Sequence, residues 1–247
     1  MRMMREVETN PDVSLLINDG WIEEVLFPVK SGKEATVYCC RANRDRDADY
    51  FALKVYTPRA QRNFRNAAVY QEGRIYGKHR EERAVANKSR RGREIEFSAW
   101  LGHEHAILSR LSRAGVAVPK PLKSSGGALL LEFIGDDGVP APQLHHVKLS
   151  SSEAEKLLED ALKNIEIMLA NHVVHGDLSA YNILHAGGRL RIIDLPQAVD
   201  ARRNVHARRL LARDVANVCR YFAAQGADAE PGTFADELWA MYQRAAL

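Results

Sequence analysis

His175-Gly176-Asp177-Leu178-Ser179-Ala180-Tyr181-Asn182-Ile183-Leu184 is followed, after a Gly187-Gly188 turn, by the apolar run Leu190 to Ile193 and then Asp194. A lone aspartate in such a loop would be an ordinary turn residue. An aspartate, an asparagine five positions on, and a second aspartate closing a short strand form a more specific arrangement. Phosphoryl transfer from a nucleotide needs little covalent help. It needs a carboxylate to orient and deprotonate the nucleophile, and oxygen ligands that hold a divalent cation against the phosphates. Asp177, Asn182 and Asp194 are the candidates for those roles. Their hard oxygens suit magnesium rather than zinc.

On either side of this string the chain alternates between strand and helix patterns. Trp21–Val29 and Ala35–Cys40 read as two strands joined by a turn through Gly32, and Tyr50–Tyr56 (YFALKVY) as a third. In the third strand Ala52, Lys54 and Tyr56 share one face. Glu94–Ala114 has a helical stripe of Trp100, Leu101, Ile107, Leu108 and Leu111, with Gly115 and Pro119 as stops. Ala128–Ile134 (ALLLEFI) is a continuous apolar strand, and Gly135-Asp136-Asp137-Gly138 the best boundary between lobes. Ser151 or Ser152 caps a second helix running to about Asn171, and two more helices follow near 207–223 and 233–246. Strands, one helix, more strands and a mostly helical second half define an α+β chain.

Lys54 places an ammonium inside an apolar strand, where an unpaired charge is costly. Glu104 lies within or beside the buried stripe of the first helix and is its candidate partner. A phosphotransferase needs such a pair to hold the α- and β-phosphates.

With 247 residues, 46% apolar and 27% charged, the chain reads as an ordinary globular protein. No stretch approaches the roughly 20 apolar residues that cross a bilayer, and the polar N-terminus lacks a signal-peptide core. No membrane association and a cytoplasmic location are therefore expected. Cys39, Cys40 and Cys219 have no metal-ligand spacing and read as buried free thiols. The net charge of +3 hides an asymmetry: Arg59–Arg93 carries eleven Lys and Arg against three Glu. This stretch has no clean periodicity and reads as a weakly structured insertion over about 58–93. It is either a solvated face or a contact surface for RNA or another polyanion.

HGDLSAYNIL and IIDLPQAV resemble the catalytic loop and metal-binding segment of the RIO-type atypical serine/threonine protein kinases. SGKEATVY, Ser31–Tyr38, resembles their nucleotide-binding loop. The resemblance covers about Trp21–Phe222 and implies a two-lobed protein-kinase-like fold with ATP and magnesium, manganese being an alternative metal. It implies an N-terminal extension over 1–20, a β-rich N-lobe over 21–135 and a shortened helical C-lobe over 136–247. Asp177 would be the catalytic base, and Asn182 and Asp194 the metal ligands. Asp194 would also be a phosphate acceptor. Ser31, Gly32, Lys33, Glu34, Ala35 and Val37 would line the nucleotide loop. Lys54 and Glu104 would hold phosphates, and the backbone around Glu132 and Ile134 the adenine edge. Pro196 departs from the usual serine, and Gly176 replaces the arginine of most protein kinases. Asp214 matches a family Arg-Asp segment; it would either brace the catalytic loop or be a surface helix residue. Only 53 residues follow Asp194, too few for the large lobe that grips peptides in ordinary kinases. No N-terminal winged-helix domain is expected either.

The partners implied are ATP, a protein substrate and, through 59–93, RNA or a ribosomal particle in small-subunit maturation, with the chain a monomer. Two other functions fit less fully. One is an ATP-gated RNA or ribonucleoprotein assembly switch with little kinase activity. The other is a small-molecule phosphotransferase of the aminoglycoside or choline kinase type.

Overall fold

The computed structural model describes residues 7–57 and 90–247. The chain forms two compact units. The first holds the described residues up to 57, with 90–105 and 119–140; the second holds 106–118 and 141–247.

The first unit opens with helix α1, Pro11–Asn18, capped by the Asn10 side chain on the Asp12 N–H. Strands β1 (Ile22–Ser31), β2 (Ala35–Ala42), β3 (Tyr50–Tyr56), β4 (Pro121–Ser125) and β5 (Ala128–Glu132) make one antiparallel sheet in the order β1-β2-β3-β5-β4. Pro28 is tolerated because β1 is an edge, where the ladder is irregular on both sides of it. Val13 and Leu16 of α1 are fully buried against Ile22, Val25, Tyr38, Phe51, Leu53 and Leu130. Asp12 Oδ2 accepts the Gly127 N–H at 2.7 Å, tying α1 to the β4–β5 turn. Gly126 there has φ +46°, and a Cβ on it would run into the Asp12 carboxylate. Residues 11–18, which the sequence sets apart as an extension, are thus part of this core.

The segment Gly135–Gly138, read in the sequence as the boundary between lobes, belongs to a two-residue ribbon of β6 (Gly135–Asp136) and β7 (Val139–Pro140). Asp137 and Gly138 have φ 44° and 75°, the positive pair that an Asp-Gly hairpin turn adopts.

Helix α2, Arg90–Arg113, starts four residues earlier than its stripe suggested, so residues 90–93 of the basic segment are helical. The rest of that segment, and the side chains of Trp100 and Leu101, lie outside the described residues. Ile107, Leu108 and Leu111 are buried as expected, and Gly115, at φ 84°, ends the helix.

The second unit is built on α3 (Ser151–Ala170), α4 (Ala207–Ala224) and α5 (Pro231–Gln243). Its ribbons pair β8 (Val173–Val174) with β11 (Val199–Asp200), and β9 (Ile183–Ala186) with β10 (Arg189–Ile192). The cap of α3 is Ser150, not Ser151 or Ser152, because Glu153 closes a capping box. Ser150 Oγ accepts the Glu153 N–H, and the Glu153 carboxylate accepts the Ser150 N–H at 2.9 Å. Residue 117 stitches this unit together: its N–H donates to Asn164 Oδ1 of α3 and its carbonyl accepts from Ile192 of β10. No helix among the described residues is long and apolar enough to cross a membrane. Cys39, Cys40 and Cys219 are buried and unbridged, and burial pushes the Cys39 thiol up to about 11.

Because Leu16 has no exposed surface, Leu16→Ala should cost about 2–4 kcal/mol of stability. A urea melt checks this; an unchanged midpoint would detach α1 from the core.

Candidate active site

In the first unit, β3 is covered on both faces, which is why its burial does not alternate cleanly. Leu53 faces the core beneath α1, and Lys54 is also buried. Its Nζ lies 2.7 and 3.0 Å from the two oxygens of Glu104 on α2, itself only 1% exposed. The Tyr56 hydroxyl donates to the same carboxylate, and the Lys54 ammonium sits 5.4 Å from the Tyr56 ring centroid. Tyr56 was placed on the Lys54 face by strand alternation, but nothing in its type marked it as a third partner. A buried pair of this kind contributes little net stability over an apolar replacement, yet breaking it leaves an unpaired charge. Its presence therefore points to a role beyond holding the fold.

The turn between β1 and β2 carries Ser31, Gly32, Lys33 and Glu34. The Gly32 N–H donates to Ala35 O at 2.9 Å, Ser31 Oγ lies 3.2 Å from Thr36 Oγ1, and Glu34 O accepts from Thr57. Gly32 does not have positive φ, and a Cβ there would only touch Ala35 O at 3.4 Å. The hairpin itself does not demand glycine. Val37 faces Lys54 across the β2–β3 ladder. Glu132 pairs with Phe51, and its carboxylate accepts the Lys120 N–H at 3.0 Å, while Ile134 is buried.

In the second unit the loop 175–182 hangs from α4. Asp214, 2% exposed, accepts the Gly176 N–H at 2.7 Å on one oxygen and the Leu178 N–H at 3.0 Å on the other. Asp214 therefore braces the loop and is not a surface residue. Arg213 donates to the Gly176 carbonyl, and Asn217 Nδ2 to Leu178 O at 3.1 Å. Asp177 is thus clamped on both sides through its neighbours' backbone. Gly176 has φ 81°, a conformation arginine would adopt only under strain. His175 is buried, with Nδ1 accepting the Asp177 N–H at 3.3 Å and Nε2 lying 3.1 Å from Ile193 O. Those two bonds require the ring proton on Nε2, and they link the Asp177 loop to the strand leading to Asp194. Arg213, Asn217 and His175 carried no assigned role in the sequence; their partners are backbone groups, which have no residue signature.

Asn182 Nδ2 donates to Asp177 O at 2.8 Å and lies 3.5 Å from Asp177 Oδ2. Both partners are acceptors, so the amide orientation is fixed with Nδ2 toward Asp177 and Oδ1 left as an acceptor. The Ile193 N–H donates to Asn182 O, and Asp194 follows with φ 68°. Aspartate is one of the few non-glycine residues that adopts this left-handed conformation readily, so the turn is held without a glycine. The Asp177 side chain reaches solvent, yet the protein packed around it desolvates its carboxyl and raises its pKa. Asp194 adds to that rise, while His175, Arg213 and Asn182 oppose it. Asp177, Asn182 and Asp194 are therefore brought together. Among the described residues no group of three or more His, Cys, Asp or Glu could hold a metal unaided. An amide oxygen and a carboxylate are a donor set that suits magnesium, which takes one or two protein oxygens and completes its shell with phosphate and water.

Among solved structures, a Rio2 kinase–ADP/Mg2+–phosphoaspartate complex from Chaetomium thermophilum matches with a TM-score of 0.65 at 18% identity, over 92% of this chain and 64% of that one. The likeness places the fold in the protein-kinase-like class. Residues 36–233 match the RIO domain, and the chain belongs to that family, the RIO-type atypical serine/threonine protein kinases. A RIO-type serine/threonine-protein kinase Rio1 of Haloferax volcanii is 34% identical over 87% of this chain and 69% of its own length. The serine/threonine-protein kinases rio1 of Schizosaccharomyces pombe and RIO1 of Homo sapiens are 30% and 31% identical, each over 84% of this chain. The chain spans only 40% and 34% of those two relatives.

Lys54→Met and Glu104→Gln should each destabilise by about 3 kcal/mol, and the double variant by clearly less than their sum. Additive denaturant-melt values would mean that the two do not interact in solution.

Burial pushes the Asp214 carboxyl up to about 6, against the pull of His175 and the two N–H groups. The folded chain then binds this proton more tightly than the unfolded one. The stability it contributes is full below the ordinary value of 3.8 and is lost as pH rises through about 6. Asp214→Asn should flatten the pH dependence of stability between about pH 4 and 6. Urea melts across that range test this; an equally steep variant profile would assign the titration elsewhere.

Proposed function

We propose that this chain is a magnesium-dependent ATP phosphotransferase acting on serine or threonine hydroxyls of a protein. The observation that carries this reading is the joining of Asp177 to Asn182, in the field of Asp194, on a loop clamped by buried Asp214. Asp177 orients the acceptor hydroxyl and takes its proton as the oxygen attacks the γ-phosphorus. The bond from that phosphorus to the ADP oxygen breaks, and ADP leaves. Asn182 Oδ1 and the Asp194 carboxylate would hold magnesium, or manganese in its place, which would neutralise charge on the phosphate oxygens. Lys54, fixed by Glu104, offers its ammonium to the α- and β-phosphates. The backbone of Ser31–Val37 and the Lys33 charge face the phosphates, and the backbone around Glu132 and Ile134 the adenine.

A second outcome at the same centre draws on the phosphoaspartate named for the Rio2 complex. An Asp194 oxygen could itself take the γ-phosphoryl group, with release of ADP, and water could then cleave the acyl phosphate. That sequence amounts to ATP hydrolysis and suits an ATP-gated switch on RNA or a ribosomal particle. The basic segment proposed for that contact lies, apart from residues 90–93, outside the described residues. The RIO domain match sets the small-molecule phosphotransferase reading aside.

Incubation with labelled ATP and magnesium tests the assignment. Asp177→Ala should abolish transfer to protein while ATP affinity stays within about threefold. Substantial transfer by that variant would remove Asp177 as the base. Label on Asp194 should be released by hydroxylamine and absent from Asp194→Ala; label that resists hydroxylamine would instead lie on serine or threonine.

A further inference from the structure

Five of the six arginines between positions 202 and 220 either pair with carboxylates or line one face of α4; among the described residues Arg203 does neither. Arg202 is paired with Asp200 at 2.6 Å, and Arg208 with Asp236 of α5 at 2.9 Å. Arg209, Arg213 and Arg220 are exposed and follow helical spacing along one face of α4, with Asn217 between the last two. Arg209 makes no ion pair among the described residues, and Arg220 donates to the neutral Asn217 Oδ1 at 3.2 Å. Arg202 and Arg208, off this face, are matched by carboxylates; Arg209 and Arg220 on it are not.

The middle of the face is fixed to the catalytic loop. Arg213 holds the Gly176 carbonyl and Asn217 the Leu178 carbonyl, one on each side of Asp177. From Arg209 to Arg220 the helix rises about 16 Å, the length of about five residues of extended chain. An extended segment laid along this face would put its central residue beside Asp177 and its flanks beside Arg209 and Arg220. Asp177 and Asp194 alone would repel an acidic segment; the arginine row supplies the opposite charge.

We propose that this face of α4 is a docking track for an acidic polypeptide substrate. Arg209 and Arg220 would pair with Asp or Glu side chains about two or three residues to either side of the accepting hydroxyl. The inference rests on the protein phosphotransferase reading above and names the substrate class for that centre. A polypeptide suits the track better than a nucleic acid because no exposed aromatic ring is interleaved with Arg209, Arg213 and Arg220 to stack bases.

Three nine-residue peptides with one central serine decide it, flanked by Glu, by Ala or by Lys. Wild type should use the Glu peptide about tenfold better in kcat/KM than the Ala peptide, through KM. Arg209→Glu/Arg220→Glu should lose that preference and favour the Lys peptide. Its KM for ATP and its transfer to the Ala peptide should stay as in wild type, and Arg208→Gln should retain the Glu preference. Equal use of the three peptides by wild type, or a Glu preference that survives charge reversal, would overturn the track. If wild type transfers to no peptide, the phosphotransferase reading fails on its own. The track is still tested by fluorescence anisotropy of the labelled Glu peptide, which should bind wild type and not the double variant. Failure of that peptide to bind wild type, with a single-stranded RNA binding in its place and released by the double substitution, would mark the face as a nucleic-acid surface and refute the proposal.

Discussion

A buried carboxylate that accepts two backbone N–H groups holds the reactive loop in place. Asp214 bonds Gly176 and Leu178, so the residue between them has little freedom left. Such a carboxylate is sustainable in the interior only because both oxygens are bonded. The helix that carries it must then be anchored, and Leu210, Leu211, Val215, Val218 and Phe222 provide that anchor from the buried side of α4. The same requirement explains Gly176: the turn that presents two N–H groups to one carboxylate needs φ 81° there. Arg213, from α4, holds the carbonyl of that same glycine.

The first unit solves a similar problem with opposite polarity. Lys54 is an internal cation in the middle of a sheet; Glu104 pairs with it from the helix side, and Tyr56 on its own strand donates to the same carboxylate. In both units a charge is buried at a cost to the fold and held by groups distant in sequence. Side chains that fold poorly but hold well are the usual substance of sites that act on charged ligands.

What the sequence made legible follows from this. Strands and helices were readable because apolar periodicity is local, and Ile107, Leu108 and Leu111 of the α2 stripe are buried as their spacing required. Lys54 and Glu104 were readable as a pair because each is a charge in an apolar pattern, and the two signs match. Asp177, Asn182 and Asp194 were readable as a string. Asp214 was only half readable: it falls on the buried stripe of α4, but its partners are amides 38 and 36 residues away. The cap of α3 was misplaced by one or two positions, since three consecutive serines offer equal hydroxyls and only Glu153 distinguishes Ser150. The positive φ of Asp194 and the grip of Asp12 on the β4–β5 turn had no composition to announce them.

That grip constrains the order in which the first unit can form. Asp12 and Gly127 are 115 residues apart, and β3 finds its neighbour in β5 rather than in any strand made soon after it. A ribosome releasing the chain from its N-terminus therefore emits α1 and three strands long before the element that closes their sheet. Until β5 arrives, Phe51 and Leu53 lie on a strand with one unpaired edge. Formation of this unit is thus a late, non-local event with a high contact order, slow relative to its size and exposed to mispairing in the interval.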